Sequence, residues 1–505
     1  MFKPLFTSGS LFLKGVDILL ENLFKLKENG TNAKTEMMAG ITTFMTMAYI
    51  LAVNPAILSA SGMDSGAVFT ATAIASCIGT LFMAFFANYP FALAPGMGLN
   101  AFFAYTVVGQ MGYSWQVALA AVFVEGILFF ILSLTKVREA IFNCIPFSLK
   151  YGVTGGIGLF IAFIGLQNSH LVVDGATLVS IYPFKASLAS GEFYTTGIGA
   201  LLALIGVILT AVLMIKNVRG AILLGILITW SLGIIAEVTG IYIPDPAKGA
   251  FSVMPDFSNG LYIPSLMPSF MQMDFSYIFT FNFVTIMLSF MFVDLFDTLG
   301  TLIGVASKAN MLDRQGRLPR IRGALLADSV ATSAGAVLGT STVTTFVESS
   351  SGVMAGGRTG LTAVTVAILF LASLLFAPVF LAIPAFATAP ALIIVGFLML
   401  GTILNIDFND MGEAVPGFIA IIAMPFMYSI SEGIALGIIS YVVINVLSGA
   451  AGKKNISGIM YILAFLFVLK YIFVYNLKLS WQGRLTSGSF LLPKLWAGQN
   501  KALSD

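Results

Sequence analysis

Five carboxylic acids stand inside otherwise apolar stretches of this chain. They are Glu125, Asp294, Asp297, Asp328 and Glu348. A charge at the centre of a lipid bilayer costs about 2.5–3.5 kcal/mol on insertion scales, so such groups persist where they face a cavity, pair with another group or take up a proton. A carboxylate can accept hydrogen bonds from the N–H groups of a small molecule, and a protonated carboxyl can donate to a ring nitrogen or carbonyl.

Three of these acids are placed to act together. Asp294 and Asp297 lie three residues apart, which puts both on one face of a helix. Glu348 is predicted to begin a short helix, where backbone N–H groups are free and the helix dipole is positive. In one apolar cavity, burial and repulsion keep the three from all being ionised, and they titrate as a coupled group. This chemistry suits proton coupling and the binding of a neutral heterocycle.

For three further polar residues a structural role is at least as consistent with the sequence as a role in binding. Glu125 stands alone in an apolar helix and is predicted to make a polar contact between helices. Asp328, which Ser329 follows, is predicted to support the site without touching a ligand. Asn100 comes just after a Pro-Gly break, and its position is equally consistent with a capping role and with a ligand role.

The composition defines the setting of these acids. Of 505 residues, 58% are hydrophobic and 10% are charged, whereas soluble domains are about 25% charged. The net charge of +2 excludes a general electrostatic surface for nucleic acid. The two cysteines, Cys77 and Cys144, provide neither a disulfide framework nor metal-ligand spacing. The chain is therefore predicted to be an all-α polytopic membrane protein with no metal or cofactor site.

Fourteen stretches are predicted to cross the membrane, since a spanning helix needs about 20 mostly apolar residues. The third and tenth, 90–108 and 341–357, are interrupted by Gly, Pro, Ser and Thr. The other predicted spans are 37–57, 66–88, 116–134, 150–167, 193–215, 220–239, 278–306, 323–340, 360–383, 389–404, 413–429 and 432–449.

Basic residues indicate the orientation. With fourteen spans, sixteen Lys and Arg residues before position 450 fall on one side and only Lys185 and Lys248 on the other. The positive-inside rule places the N-terminus in the cytoplasm of a multi-pass plasma-membrane protein. No cleavable signal peptide is evident in residues 1–36, and 10–27 are predicted to form an amphipathic helix on the cytoplasmic surface.

The C-terminal region, 450–505, contains one more apolar run at about 457–476. If this run crossed the membrane, basic residues such as Lys478 and Arg484 would lie outside. We therefore expect a helix at or near the cytoplasmic surface.

The two interrupted spans occupy corresponding places in a seven-plus-seven division. Pro95 and its neighbouring glycines prevent a regular helix before Met97, and the β-branched residues at 340–345 predict an extended segment that leads into a short helix. An odd number of spans in each repeat forces inverted topology. Paired broken helices in the two halves indicate the binding site of a transporter.

Several motifs resemble a known family. They are Thr31-Asn32 with Glu36, the run from Ala39 through Phe44 to Ile50, Asn54-Pro55, the run from Pro95 to Phe103, and the stretch from Asp294 to Gly300. Over about residues 24–475 the sequence resembles the AzgA-like permeases, which are the hypoxanthine, adenine and guanine transporters of the nucleobase:cation symporter superfamily. The resemblance implies the fold of the uracil permease, with two inverted seven-span repeats in 37–449.

In that fold a core domain comprises spans 1–4 and 8–11, and a gate domain comprises spans 5–7 and 12–14. Substrate binds between the half-helices of spans 3 and 10, against span 8. The resemblance places Asp297 and Glu348 at the two substrate-binding acids of the superfamily. It places Asn100 and Asp294 at polar residues typical of this branch.

The resemblance also bears on proton coupling. Asp328 falls on a span-9 aspartate that helps to hold the core, and Thr301 falls where the uracil permease has a histidine. Asp297, Glu348 and Asp328 must then carry the proton, with Thr301 at the position the histidine would occupy. The related fold suggests a homodimer.

The expected function is therefore secondary active import of purine nucleobases (hypoxanthine, guanine or adenine) by proton symport, with alternating access of core and gate. One alternative is an anion transporter of the same inverted-repeat fold, although an anion site favours basic groups or bare helix N-termini. The other is an intramembrane diaspartyl protease, but Asp294 and Asp297 share one helix and no GxGD pattern occurs. The single histidine, His170, is predicted to be a solvated loop residue, so an enzyme is not expected.

Overall fold

The computed structural model is built mainly of helices, with two small pairs of strands. It describes residues 19–135, 144–175, 178–245, 251–255, 257–258, 260–308, 311–313, 318–450, 452, 454 and 456–485. The helices are α1 (Ala33–Met47), α2 (Ile50–Ser59), α3 (Ser65–Phe82), α4 (Met97–Ala101), α5 (Trp115–Leu134), α6 (Phe147–Asn168), α7 (Phe184–Ser190), α8 (Gly197–Ile215), α9 (Ala221–Val238), α10 (Phe281–Lys308), α11 (Ile321–Leu338), α12 (Ser349–Met354), α13 (Gly360–Ser373), α14 (Ala377–Leu381), α15 (Ala385–Leu400), α16 (Met411–Phe426), α17 (Ile430–Leu447) and α18 (Gly458–Leu485). The strands are β1 (Leu93–Pro95), β2 (Val172–Gly175), β3 (Leu178–Ile181) and β4 (Val343–Thr345).

Within the described residues, eleven helices are long and apolar enough to cross a membrane. The chain is thus a multi-pass membrane protein, as predicted. The remaining predicted spans are shorter as helices: the third and tenth are each divided into a strand and a short helix, and α16 has 16 residues. The helical class and the interrupted spans are confirmed, and the count of fourteen spans stays a prediction.

The first span is also divided, which the continuous apolar run at 37–57 did not predict. α1 ends at Met47 and α2 begins at Ile50, so Tyr49 lies at the junction of the two helices. Its side chain is fully buried. The break therefore places a phenolic hydroxyl inside the bundle.

The membrane helices contact one another mostly within two sets. α11 packs on α3 and α5, and α13 packs on α1 and α3. In the second set, α15 packs on α6, α8 and α9, while α16 packs on α6 and α17. Small residues permit the closest approaches, because a Cβ added at Gly126 would lie 2.4 Å from Ser333 Oγ, and one added at Gly158 would lie 2.6 Å from the carbonyl oxygen of Gly396.

Strands β1 and β4 join the two interrupted spans at the centre of the bundle. They pair antiparallel, and the pairing itself was not predicted. The N–H of Gly96 donates to the carbonyl of Thr342 at 3.0 Å, and the N–H of Leu93 donates to Thr80 Oγ1 at 2.9 Å. These bonds satisfy extended backbone at a depth where lipid offers no partner.

The turn before β4 depends on Gly339, the residue after α11. Its φ of +97° is in the left-handed region, which glycine adopts without strain. A Cβ at this position would also lie 2.2 Å from Cβ of Ser269. Gly339 thus ends α11 and lets the chain reverse into the tenth span.

The N-terminal segment is tied to the bundle by Glu36 in the first turn of α1. Its buried carboxylate accepts hydrogen bonds from the N–H of Arg358 at 2.8 Å and from Thr362 Oγ1 at 2.6 Å. An acid at the start of another helix, here α13, is a stabilising arrangement. Of the predicted amphipathic helix, 19–24 are helical, and 10–18 lie outside the described residues.

The C-terminal helix, α18, runs antiparallel beside α17. The Tyr471 hydroxyl, 13 residues into α18, donates to the carboxylate of Glu432 in the first turn of α17. The Phe467 ring packs 5.6 Å from the ring of Phe292. The helix therefore lies along α17 over about 20 Å, and the expectation of a helix at or near the cytoplasmic surface stays a prediction. Its apolar residues bury against α17, a contact that charge counting does not consider.

Candidate functional site at the paired strands

Asp297 on α10 faces the paired strands. Its Oδ2 accepts a hydrogen bond from Thr344 Oγ1 at 3.0 Å. A Cβ added at Gly96 would lie 2.8 Å from Thr344 Oγ1 and 3.2 Å from Asp297 Oδ2. Only glycine allows the end of β1 to approach this closely. Asp297 is half-buried, and this hydrogen bond holds its carboxylate against β4.

Glu348 immediately precedes α12 but does not cap it with its side chain. Its Oε1 accepts a hydrogen bond of 2.6 Å from the Tyr49 hydroxyl. α10, which carries Asp297, packs against both β4 and α12. The structure thus brings the segments that carry the two acids of spans 8 and 10 together, and it adds Tyr49, which the sequence analysis did not propose.

Asn100 lies in α4, on the opposite interrupted span. Its Oδ1 accepts a hydrogen bond from the Ser341 hydroxyl, which ties α4 to the segment before β4. Its Nδ2 is buried and has no hydrogen-bond partner among the residues that the structure describes. An unsatisfied buried donor costs about 1–3 kcal/mol. This orphan group favours the ligand role of Asn100, because a bound molecule could supply the missing acceptor.

Asp294 has different neighbours from Asp297, although the two share a helix. Thr298 Oγ1 lies 2.8 Å from Asp294 Oδ1 and 2.7 Å from Asp328 Oδ1. Asp294, Thr298 and Asp328 are all fully buried. The structure therefore links Asp294, through Thr298, to the supporting residue of span 9.

Glu125 makes the interhelical contact predicted for it. Its Oε2 accepts a hydrogen bond of 2.9 Å from Thr342 Oγ1. Glu125 is fully buried in α5. This contact holds the extended segment before β4 from the side opposite to β1.

A stripe of open positions continues along α10 from Asp297. Thr301 is half-buried, while Gly300 and Gly304 are exposed, and a Cβ at either glycine would meet no atom of the described residues within 4 Å. Residues at intervals of three and four share one helix face. Asp297 thus lies on the same face of α10 as these positions.

Contacts close the opposite end of the site. Asn168 at the end of α6 donates to the Tyr105 hydroxyl at 3.2 Å, and Thr106 Oγ1 donates to the Tyr428 carbonyl at 3.2 Å. The Tyr428 ring packs 5.3 Å from that of Phe160. Beyond them is a cavity of about 290 Å³, lined in part by Tyr105, Asn168 and His170. His170 is exposed, as predicted.

The sequence matches the Permease family over residues 34–479. The chain belongs to this family. It is 46% identical over 454 residues to the guanine/hypoxanthine permease PbuO of Bacillus subtilis, covering 89% of this chain and 99% of that protein. It is 42% identical over 460 residues to the adenine permease AdeP of Escherichia coli, covering 90% of this chain and 96% of that one. The family resemblance is confirmed, and the permease is a transporter rather than an enzyme.

A solved structure supports the fold of the permease. The transmembrane domain of the cyanobacterial bicarbonate transporter BicA superposes with a TM-score of 0.58 over 80% of this chain and 97% of that domain. At 17% identity, this likeness concerns the fold alone. Related folds carry different cargo, so the cargo must be inferred from the site.

Proposed function

We propose that this permease imports purine nucleobases (hypoxanthine, guanine or adenine) across the plasma membrane by proton symport. The observation that carries the proposal is the site itself, where Asp297 is hydrogen-bonded to β4, Glu348 follows that strand by three residues, and the orphan amide donor of Asn100 lies on the opposite interrupted span. The relatives, which are guanine/hypoxanthine and adenine permeases, support it.

A purine edge offers groups that complement this site. Its ring N–H groups can donate to the carboxylates of Asp297 and Glu348, and a ring nitrogen or carbonyl can accept from Asn100 Nδ2. An anion such as bicarbonate would instead meet two acids, whose charges repel it most strongly in a low-dielectric interior. The site therefore favours a neutral heterocycle over an anion.

The proposal includes alternating access between a core and a gate. The two contact sets of the fold support a division into spans 1–4 with 8–11 and spans 5–7 with 12–14. An open stripe at one end of Asp297 and a closed layer at the other end suit one state of such a cycle. The excess of Lys and Arg residues on one side of the predicted spans supports a cytoplasmic N-terminus. The proposed permease acts as a homodimer, as the related fold suggests.

Labelled hypoxanthine uptake tests the cargo. In cells that lack purine transport, expression of the permease is expected to produce saturable uptake, which excess adenine or guanine reduces and uracil does not. Collapse of the proton gradient should abolish accumulation, whereas collapse of the sodium gradient should not. Absence of uptake with protein at the cell surface, or competition by bicarbonate but by no purine, would contradict the proposal.

Replacement of Tyr49 by Phe is expected to raise the KM for hypoxanthine about tenfold. The change removes the hydroxyl that orients Glu348, and a hydrogen bond to a charged group contributes about 1.5–3 kcal/mol, where 1.4 kcal/mol corresponds to a factor of ten. The matched control is Tyr182→Phe, which removes a hydroxyl bonded to Thr196 at 2.9 Å outside the site. An unchanged KM in Tyr49→Phe would show that the hydroxyl does not position Glu348 for substrate.

A further inference from the structure

One threonine hydroxyl lies between two buried carboxyl groups. Thr298 Oγ1 is 2.8 Å from Asp294 Oδ1, one turn earlier on α10, and 2.7 Å from Asp328 Oδ1 on α11. None of the three side chains is exposed to solvent. Both distances are typical of a hydrogen bond between two oxygen atoms.

A count of protons shows what this geometry requires. A threonine hydroxyl carries one proton and can donate to one of the two aspartates. The second short oxygen–oxygen contact then needs a proton on the other aspartate, which donates to the threonine oxygen. Two ionised carboxylates on one hydroxyl would leave an unbridged contact and two like charges in a water-free interior.

We infer that Asp294, Thr298 and Asp328 form a proton-binding site in which the two carboxyl groups share one proton through the threonine hydroxyl. The inference rests on the proposed proton symport and separates the proton from the substrate-facing acids Asp297 and Glu348. Binding converts one carboxylate and one H⁺ into one carboxyl group. The charge of the aspartate pair thereby changes from two negative charges to one.

Several acidic groups lie on α10 and on the elements that pack against α10 and α11. Titratable groups on the elements around α10 and α11 include Asp297 on α10, Glu125 on α5, Glu348 before α12 and the buried thiol of Cys77 on α3. Arg322 lies near the start of α11, six residues before Asp328. Nearby acids increase the repulsion between two ionised aspartates and favour retention of the shared proton.

Hydrogen bonds connect this proton site to the substrate site. Thr332, one turn after Asp328 on α11, donates to the carbonyl of Val343 at 3.1 Å. Asp297, adjacent to Thr298 on α10, accepts from Thr344. α10 and α11 are thus each hydrogen-bonded to β4, at neighbouring residues of the strand. The shared proton links the same two helices close to these bonds. Loss of the proton would loosen this junction and alter the position of β4 relative to Asp297.

Infrared spectroscopy of the purified full-length protein tests the proton directly, without substrate. A C=O stretching band of a protonated carboxyl group that shifts in D₂O is expected near neutral pH in the wild type and in Asp297→Asn. It should disappear, wholly or in large part, from Asp328→Asn and from Asp294→Asn. A band that keeps its intensity in both of these variants would overturn the inference.

Transport in proteoliposomes tests the role of the bridge. Thr298→Val is expected to reduce accumulation of hypoxanthine driven by a pH gradient at least tenfold, and Thr298→Ser should restore it. The matched control is Thr229→Val, which removes a buried hydroxyl that donates to the carbonyl of Gly225 at 2.7 Å in α9. Wild-type accumulation by folded Thr298→Val would overturn the inference.

The two experiments separate two kinds of failure. If wild-type liposomes accumulate no purine, the proposed function fails, and the infrared band still decides whether the aspartates hold a proton. If Thr298→Val does not fold, Asp328→Asn, whose amide replaces a carboxyl group of similar shape, provides both measurements.

Discussion

Replacement of Asp297 by Asn is expected to lower hypoxanthine uptake about a hundredfold or more in protein that reaches the membrane. Asparagine has nearly the same shape, and its amide oxygen can still accept the hydrogen bond from Thr344. It cannot provide a charged acceptor for a purine N–H, and its NH₂ group would face that N–H donor. A site built to hydrogen-bond its substrate rejects an analogue that lacks the bonding group by a factor of about 10⁴–10⁵.

The size of this effect follows from the setting of Asp297. A factor of one hundred corresponds to about 2.7 kcal/mol, which lies within the range for loss of a hydrogen bond to a charged group plus an unpaired donor. Glu348→Gln is expected to act in the same direction. In the wild type the Tyr49 hydroxyl donates to Oε1 of Glu348. If it donates to the amide oxygen of the glutamine instead, the loss of uptake should be smaller than in Asp297→Asn.

The control for this prediction is Asp274→Asn. Asp274 lies in the segment before α10, where its carboxylate accepts hydrogen bonds from the backbone N–H and hydroxyl of Ser276, and these bonds lower its pKa. Loss of this surface charge should leave uptake at the wild-type rate. Normal uptake by Asp297→Asn, at equal surface expression, would remove Asp297 from the substrate site and with it the proposed mode of binding.

The sequence alone predicts the parts of the site whose cause is local. Pro95 and the glycines around it prevent a helix, and the β-branched residues before Glu348 favour an extended chain. Both effects depend on neighbouring residues, so both interrupted spans were found. The spacing of Asp294 and Asp297 likewise follows from helix geometry. The family resemblance then identified which of the acids face the substrate in related proteins.

Other parts of the site depend on contacts between distant residues. Tyr49 lies in an apolar run that gives no sign of a break, and it meets Glu348 only because α1 and α12 pack together. In the sequence, nothing distinguishes Thr298 from other threonines in predicted membrane helices. Its importance arises from Asp328, 30 residues away on α11. The course of α18 beside α17 likewise depends on packing between distant residues, such as the contact of Tyr471 with Glu432.

The shared fold with BicA shows why the side chains must decide the cargo. The likeness covers 80% of this chain but at 17% identity, so the backbone architecture is kept while the residues at the paired strands are free to differ. In this permease the centre of that architecture carries acids and an amide. The shared fold therefore does not define the cargo, and in the proposed function the polar groups at the strands select a purine over an anion.

A disulfide between α10 and α17 is expected to stop transport, because it would join the proposed core to the proposed gate. Ser289 Oγ and Ser431 Oγ lie 2.8 Å apart and hydrogen-bond between these helices. Cysteines would replace both serines in a background without Cys77 and Cys144. Their sulfur atoms would then lie close enough to form a disulfide, whose S–S bond is about 2.05 Å long. Oxidation should then reduce hypoxanthine uptake at least tenfold, and reduction should restore it.

A second cysteine pair separates immobilised domains from a general effect of cross-linking. Ser133 Oγ and Ser329 Oγ lie 3.4 Å apart between α5 and α11, which both belong to the proposed core. Oxidation of cysteines at these positions should leave uptake unchanged, because the two helices move as one unit. Equal inhibition by both pairs would contradict the core and gate division. Continued uptake by a fully cross-linked Ser289→Cys/Ser431→Cys protein would exclude movement of α10 against α17 as the step that gives access to the site.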